Sequence, residues 1–232
     1  MAPADPHIEP HYDRCALLVI DTQVDFSEGG ATPITGTAAV VPEIVTLLEA
    51  FRGAGRPIVH VVRLYAGEDV DRVRRTLISR GAAIVAPGSP GSQIVAALRP
   101  AGAEPIDPER LLAGELQEIG PNETAMFKPR WSAFHRTPLE AHLTALGVDT
   151  VVLAGCNFPN CPRATAFDAS QRDFRVVLAA DAISGIRNGH LQEMSGIGVL
   201  SEAIGALCAG VAGYATTTPA HRCQSTQEAQ SA

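Results

Sequence analysis

The sequence predicts a single α/β domain with a doubly wound, Rossmann-like parallel sheet flanked by helices. Short apolar runs at Cys15–Ile20 and at 151–153 are typical of strands that are buried on both faces. The first run is followed by an amphipathic helix at 37–54 and by a second strand at 57–62. Strand, helix and strand in this order form a right-handed crossover unit, which makes the two strands parallel.

The chain length of 232 residues fits one domain with a sizeable core. We place a polar, proline-containing arm at residues 1–13, the folded domain at 14–216 and a disordered tail at 217–232. The tail is rich in Gln, Ser, Thr and Ala, and such a composition buries too little apolar surface to fold.

Composition and charge argue against several classes of protein. A formal charge of −7 and the lack of a basic run disfavour nucleic acid as a partner. The sequence lacks the run of roughly 20 apolar residues that a membrane helix needs, so we expect no membrane partner either. The N-terminus does not resemble a signal peptide, and five cysteines without framework spacing favour a reducing compartment. We therefore expect a cytoplasmic protein.

The segment between residues 63 and 122 does not follow the strand–helix pattern. Glycine and proline are frequent in it, and one short helix is predicted at 71–80. A long irregular excursion within a compact domain is typical of a lid or a binding loop, so we expect substrate specificity to lie here. The arginines at 72, 74, 75 and 80 are interpreted as a solvated helix face.

The second half of the chain repeats the alternation of strands and helices. A short strand at 125–127 ends on Lys128, and Thr137 with Glu140 predicts a capping box for the next helix. A strand at 174–180 ends on Asp181. We then predict one long helix at 188–207 and a short final strand at 210–216.

The stretch from 151 to 168 organises the rest of the chain. Gly155 ends its strand, and Pro162 suits the first position of the following helix, which predicts Cys161 as the residue that caps this helix. Free backbone N–H groups and the helix dipole at this position are expected to favour the thiolate form. We therefore predict that Cys161 is a nucleophile.

Two further reactive side chains follow predicted strands. Asp21 comes directly after the first strand, and Lys128 comes directly after the strand at 125–127. Ligands bind outside the carboxyl ends of strands in open α/β sheets, so these groups can converge with Cys161 at one edge. Such a set supplies an acid or base, a positive charge and a nucleophile.

Three segments, LLVIDTQVDF, FKPRWSAF and TVVLAGCNFPNCPRATAFDA, occur in this order along the chain. Together they resemble the isochorismatase-like cysteine hydrolases, and the resemblance spans roughly residues 14 to 212. It implies a catalytic triad of Cys161, Asp21 and Lys128 and a cis peptide bond before Asn157. It also implies an oxyanion hole formed by the backbone N–H groups of Asn157 and Cys161, and a homodimer or homotetramer.

The resemblance implies hydrolysis of the C–N bond of a small or cyclic amide through a thioester. The CNFPNCPR variant of the motif suggests the branch of the streptothricin hydrolases or that of the biuret hydrolases. The nicotinamidase branch binds a metal through an Asp-x-His pair after the second strand, and this chain has His60-Val61-Val62-Arg63 there. We therefore predict no metal and no cofactor. The alternatives are vinyl ether hydrolysis of the isochorismatase type, which would use Asp21 without Cys161, and a catalytically silent binding or assembly module.

The candidates for substrate contact lie within or beside these motifs. Trp131, Phe134 and Phe158 either line an apolar pocket or pack in the core, and the sequence leaves both possibilities open. The remaining candidates are Gln23, Phe26 and Arg63. Free cysteines are usually buried structural residues, and we interpret Cys15, Cys156 and Cys208 in this way.

Overall fold

A seven-stranded sheet forms the centre of the protein in the computed structural model, which describes residues 5–214. The strands lie in the order β3-β4-β2-β1-β5-β6-β7, and every neighbouring pair is parallel except β3 with β4. The strands are β1 (Cys15–Ile20), β2 (Ile58–Val62), β3 (Gln117–Gly120), β4 (Glu123–Phe127), β5 (Thr150–Gly155), β6 (Arg175–Ile183) and β7 (Leu200–Glu202).

Helices cover both faces of the sheet, which confirms the predicted fold class. They are α1 (Thr37–Gly53), α2 (Arg72–Ser79), α3 (Pro108–Leu112), α4 (Leu139–Ala145), α5 (Cys161–Ser170), α6 (Asn188–Ser195) and α7 (Ile204–Ala212). Alternate residues of β1 pack on opposite faces: Leu17 joins the core with α1 and α7, and Leu18 joins the core with α4 and α5. None of the described helices is both long and apolar enough to cross a membrane.

Strand β1 is the centre at which the strand order reverses. All six of its residues are buried, and it pairs with β2 on one side and with β5 on the other. Ile20, its last residue, lies opposite Gly155, where φ is +115° and a Cβ would overlap the backbone of Ile20. The close approach brings the carboxyl ends of β1 and β5 together, where an open α/β sheet binds its ligands.

The C-terminal region differs from the sequence prediction. The predicted helix at 188–207 is divided into α6, the edge strand β7 and the beginning of α7, because Gly198 adopts φ of +78° and turns the chain back to the sheet. The predicted strand at 210–216 is wrong for residues 210–212, which are the end of α7. Strand β7 has only three residues, too few to show a period of two. The predicted tail at 217–232 lies outside the described residues.

The excursion from 63 to 122 is more ordered than its composition suggests. It contains α2, α3 and β3, and the sequence did not predict α3 or β3. Ile94, Leu98, Ile106 and Leu111 in this segment are buried in the same core cluster as α1. The segment is therefore packed on the sheet and can hold side chains in fixed positions above its edge.

A charged network is buried beneath this segment. The carboxylate of Glu123 accepts hydrogen bonds from Nε and Nη2 of Arg52, both at 2.8 Å, and its Oε1 lies 2.7 Å from Nε2 of His60. Burial alone would raise the pKa of Glu123, but Arg52 and His60 outweigh it and hold the pKa below its ordinary value. The charged carboxylate is thus the form that the fold stabilises.

Replacing Glu123 with Ala should lower the free energy of unfolding by about 3 kcal/mol, because the buried His60 and the partly buried Arg52 would lose their common partner. Denaturant unfolding at pH 7 measures the loss. Glu118, exposed on the neighbouring strand, provides the matched control, and Glu118→Ala should change stability by no more than about 0.5 kcal/mol. Equal stability of the two variants would contradict the prediction.

At acidic pH, the free energies of unfolding of wild type and Glu123→Ala should become more similar. The folded-state pKa of Glu123 is depressed, so its contribution to stability is present above the unfolded pKa, about 4.3. That contribution is lost as the pH falls through the lower folded-state pKa. A difference that stays constant down to pH 3 would show that the charge of Glu123 is unimportant.

Candidate active site

Three chain segments at the carboxyl edge of the sheet bring Asp21, Lys128 and Cys161 together. Asp21 directly follows β1, Lys128 directly follows β4, and Cys161 is the first residue of α5. The backbone N–H groups of Asp21 and Lys128 donate to successive carbonyls of β2, those of Val61 and Val62. Strand β2 therefore sets the relative positions of these two side chains across a gap of 107 residues in sequence.

Lys128 and Asp21 form a buried ion pair. Nζ of Lys128, whose side chain is fully buried, donates to Oδ2 of Asp21 at 2.8 Å. A buried ammonium group requires such a partner because leaving it unpaired would cost several kcal/mol. The other carboxylate oxygen, Oδ1, is also buried and has no hydrogen-bond partner within residues 5–214. It is the oxygen on which Asp21 can accept a proton.

Asp21 and Cys161 share a cavity of about 260 Å³. Its wall also includes four other residues that the sequence predicted for the site, namely Phe26, Arg63, Trp131 and Asn157. Trp131 is 44% exposed and stands at the boundary with solvent. Lys128 lies behind Asp21 and outside the wall, so it acts on the cavity through the carboxylate. A cavity of this size fits a small molecule.

The turn between β5 and α5 carries two free backbone donors. The peptide bond between Cys156 and Asn157 is cis, in agreement with the family resemblance. The neighbouring N–H of Phe158 donates to Ser184, and that of Asn160 donates to the carbonyl of Asn157. By contrast, the N–H groups of Asn157 and Cys161 donate to no acceptor in the described part of the chain. Both residues line the cavity, so these donors are available to a ligand there.

Cys161 differs in one respect from the expectation of a stabilised thiolate. It is the first residue of α5, and Asn160 takes the cap position that we expected for Cys161. Burial raises the pKa of its thiol to about 12, and the negative charge of Asp21 acts in the same direction. Lys128 and Arg63 lower the pKa by less. The thiol of Cys161 is therefore neutral at rest.

Three residues that the sequence predicted as substrate contacts do not line the cavity, and Gln23 is the clearest of them. Its Nε2 donates to the carbonyls of Arg63 at 2.8 Å and Ser92 at 2.6 Å, and its Oε1 accepts from the N–H of Arg63 at 2.7 Å. The fully buried amide joins the end of β2 to the excursion and has no group left for a substrate.

Phe134 and Phe158 are the other two, and both belong to the core. Phe158 is fully buried and stacks on His190 with ring centroids 5.1 Å apart. Phe134 packs against Phe174 at 5.7 Å, and the guanidinium of Arg172 lies over its ring. Neither side chain lines the cavity. The sequence showed aromatic residues near the motif but not the face on which each one lies.

The sequence analysis missed several cavity residues in the excursion. Tyr65, Asp71 and Arg74 all line the wall, and Asp71 forms a buried ion pair with Arg63. The only sequence signal was the arginine-rich helix at 71–80, which we interpreted as a solvated face. Cys156 also lines the cavity, and its Sγ donates to the carbonyl of Asp21 at 3.0 Å, so it supports the site as well as the core.

The described side chains offer no cluster of metal ligands. Within residues 5–214, no three His, Cys, Asp or Glu side chains lie close enough together to hold a metal ion. His60, in the middle of β2, is committed to Glu123 in the buried network. The absence of a metal from the reaction remains a prediction.

Comparison with known families places the chain in one of them. The family described as the isochorismatase domain matches residues 15–200, and the chain belongs to this family. The family predicted from the three motifs is thereby confirmed.

Individual relatives and solved structures agree with this placement. The chain is 34% identical to a protein of Arabidopsis thaliana named probable inactive nicotinamidase, over 79% of this chain and 89% of that protein. It is 30% identical to the maleamate amidohydrolase of Pseudomonas putida, over 72% of this chain and 71% of that protein. The crystal structure of an isochorismatase family protein from Desulfovibrio vulgaris is 33% identical with a TM-score of 0.72, and the match covers 86% of this chain and 98% of that one.

Two substitutions should change the reactivity of Cys161 in opposite directions. Asp21→Asn removes the charge that raises the thiol pKa, so alkylation by iodoacetamide should become faster. Lys128→Met removes a charge that lowers the pKa, so alkylation should become slower. Each unit of pKa decrease raises the thiolate fraction about tenfold.

The measurement is the rate of carbamidomethylation of the Cys161 peptide between pH 7 and 9, followed by mass spectrometry. The partly exposed Cys208 in the same molecule is the internal control, and its rate should be the same in all three proteins. Faster alkylation in Lys128→Met than in Asp21→Asn would contradict the assigned electrostatics.

Proposed function

We propose that this protein is a metal-independent, cysteine-dependent amidohydrolase that cleaves the C–N bond of a small amide through a thioester. The observation that carries the proposal is the pairing of Asp21 with Lys128 beside the buried thiol of Cys161, at the wall of a cavity of about 260 Å³. These are the groups that amide hydrolysis needs: a nucleophile, a base that can become an acid, and a fixed positive charge.

The first step is attack of Cys161 on the amide carbonyl. The thiol is neutral at rest, so its proton must leave as the sulfur–carbon bond forms. Oδ1 of Asp21 accepts that proton, because Oδ2 is occupied by Lys128. Lys128 orients the carboxylate for this transfer through its hydrogen bond to Oδ2. The buried thiol is thereby deprotonated only in the presence of substrate.

The carbonyl oxygen becomes negative during the attack. The free backbone N–H groups of Asn157 and Cys161 stabilise this oxyanion, and the helix dipole of α5 adds to their effect. Asn157 lies in the turn after β5 and Cys161 begins α5, so both donors are already in place at the cavity before the charge develops. This arrangement lowers the energy of the tetrahedral intermediate relative to the bound amide.

The intermediate collapses when protonated Asp21 returns its proton to the leaving nitrogen. The C–N bond breaks, an amine or ammonia departs, and the acyl group remains on Sγ of Cys161 as a thioester. A water molecule then attacks the thioester carbonyl while Asp21 takes its proton. Breakage of the C–S bond releases the carboxylic acid, and the proton returns to the thiol, so the enzyme is unchanged.

The name of the Pseudomonas putida relative supports amide hydrolysis, and the name of the Arabidopsis thaliana relative keeps an inactive protein as the alternative. A vinyl ether hydrolase of the isochorismatase type would use Asp21 alone. We further propose a cytoplasmic homodimer or homotetramer, in line with the family resemblance. These alternatives differ in their dependence on Cys161.

Amine or ammonia release across a panel of amides tests the proposal. The panel contains nicotinamide, biuret, an N-carbamoyl amino acid, ureidoacrylate, maleamate and a streptothricin lactam, each assayed with and without a chelator. Turnover should be unaffected by the chelator and should fall at least about 1,000-fold in Cys161→Ala. Cys208→Ala, which removes a thiol from α7, should retain wild-type activity.

Each other outcome selects an alternative. Turnover that survives in Cys161→Ala would exclude the thioester and favour chemistry by Asp21 alone. Loss of turnover with the chelator would exclude metal independence. A protein that folds but hydrolyses nothing in the panel would favour the binding module.

A further inference from the structure

The cavity beside Cys161 contains a positive charge that the protein itself does not neutralise. Of the charged residues on its wall, Asp21 is paired with Lys128, and Arg63 is paired with Asp71. Arg74 is also part of the wall. Within residues 5–214 its guanidinium donates no hydrogen bond and forms no ion pair. The charged residues of the wall therefore leave one unpaired positive charge, that of Arg74.

The placement of Arg74 separates it from the other arginines of α2. Arg74 is partly buried, whereas Arg72 and Arg75 are exposed. Arg72 lies beside a neighbouring cleft, and Nε of Arg75 donates to the carbonyl of Val70 at 3.0 Å. Arg74 is the arginine of α2 that lines the same cavity as Cys161. Its backbone N–H donates to the carbonyl of Asp71 at 2.8 Å, which fixes the first turn of the helix.

A guanidinium group matches the geometry of a carboxylate, with two parallel N–H donors for two oxygens. A cavity with low-dielectric walls and one unpaired positive charge also concentrates anions. We propose that the substrate is a small amide that also carries a carboxylate, and that Arg74 binds this carboxylate while Cys161 attacks the amide carbonyl. This inference rests on the proposed function and names its substrate class.

The rest of the wall limits what can lie between the two groups. Phe26, Val73 and Trp131 provide apolar surface, and the only other cation of the wall, Arg63, is occupied by Asp71. A short hydrocarbon segment suits this surface, and a second charge would find no partner among the described residues of the wall. Neutral amides would leave Arg74 unpaired, and cationic amides would be repelled by it. The pocket thus favours the monoamide of a short dicarboxylic acid.

Two pairs of matched amides test this inference. Maleamate and succinamate carry one carboxylate and one amide, and maleamide and succinamide replace the carboxylate with a second, neutral amide of the same size. The wild type should show a higher kcat/KM for the anionic member of at least one pair. Arg74→Met should raise KM for that anionic amide about 10- to 100-fold, because a charge-assisted pair of hydrogen bonds is lost. Since the lost contact exists in both ground and transition state, kcat should change little.

Arg80→Met is the matched control. Arg80 ends the same helix, is exposed and lies outside the cavity wall, so the substitution removes the same charge without touching the site. It should leave KM for all four amides within about twofold of the wild-type value, because salt screens an exposed charge outside the cavity. Equal use of anionic and neutral amides by the wild type, or equal effects of the two substitutions, would overturn the inference and leave the amidohydrolase intact.

Calorimetric binding to Cys161→Ala separates this inference from the proposed function. Maleamate or succinamate should bind this variant, and the double variant with Arg74→Met should lose that binding by a similar factor. Binding that depends on Arg74, together with no turnover by the wild type, would support the carboxylate site and overturn the amidohydrolase. If neither anionic amide binds Cys161→Ala or is hydrolysed by the wild type, the inference is wrong.

Discussion

The buried ion pair between Lys128 and Asp21 is the interaction on which the site depends. An ammonium group without solvent needs a carboxylate within hydrogen-bond distance, and Asp21 satisfies this need with one oxygen. The pair joins the ends of β1 and β4 across β2 and so fixes three neighbouring strands at their carboxyl edge. The second carboxylate oxygen of Asp21 stays without a partner in the described part of the chain. One interaction thereby orders this edge of the sheet and leaves free the oxygen that the proposed reaction uses.

In the proposed reaction, burial makes the thiol of Cys161 less reactive and makes the charges around it more effective. It raises the pKa of Cys161, which keeps the thiol neutral, and neutral thiols are poor nucleophiles and resist alkylation. The same burial excludes water and strengthens every charge near the cavity. The cysteine therefore requires a base at contact distance, and the second oxygen of Asp21 meets that requirement. A lowered thiol pKa, which a helix N-terminus alone would favour, is not what this environment produces.

The excursion from 63 to 122 completes the site from the side opposite to the sheet. Its core residues pack with α1, and Gln23 ties its backbone to the end of β2. Within the excursion, Arg63 and Asp71 form an ion pair, and α2 contributes Arg74 to the cavity wall. In the proposed reaction, the catalytic groups come from the ends of the strands and from the turn after β5, whereas Arg74, the proposed carboxylate contact, comes from the excursion. The proposals thus assign the chemistry and this contact to separate parts of the chain.

Local periodicity and motifs within single segments predicted the parallel strands β1, β2, β4, β5 and β6, the crossover unit and the positions of Asp21, Lys128 and Cys161, but they missed the edge strands β3 and β7. The three-dimensional packing places Phe134 and Phe158 in the core, buries Gln23 with both of its amide atoms hydrogen-bonded, and puts Arg74 on the cavity wall. It also divided the predicted C-terminal helix into α6, β7 and α7. The physical reason is that burial, pairing and pKa depend on neighbours that are remote in sequence, and no local pattern records which groups those neighbours are.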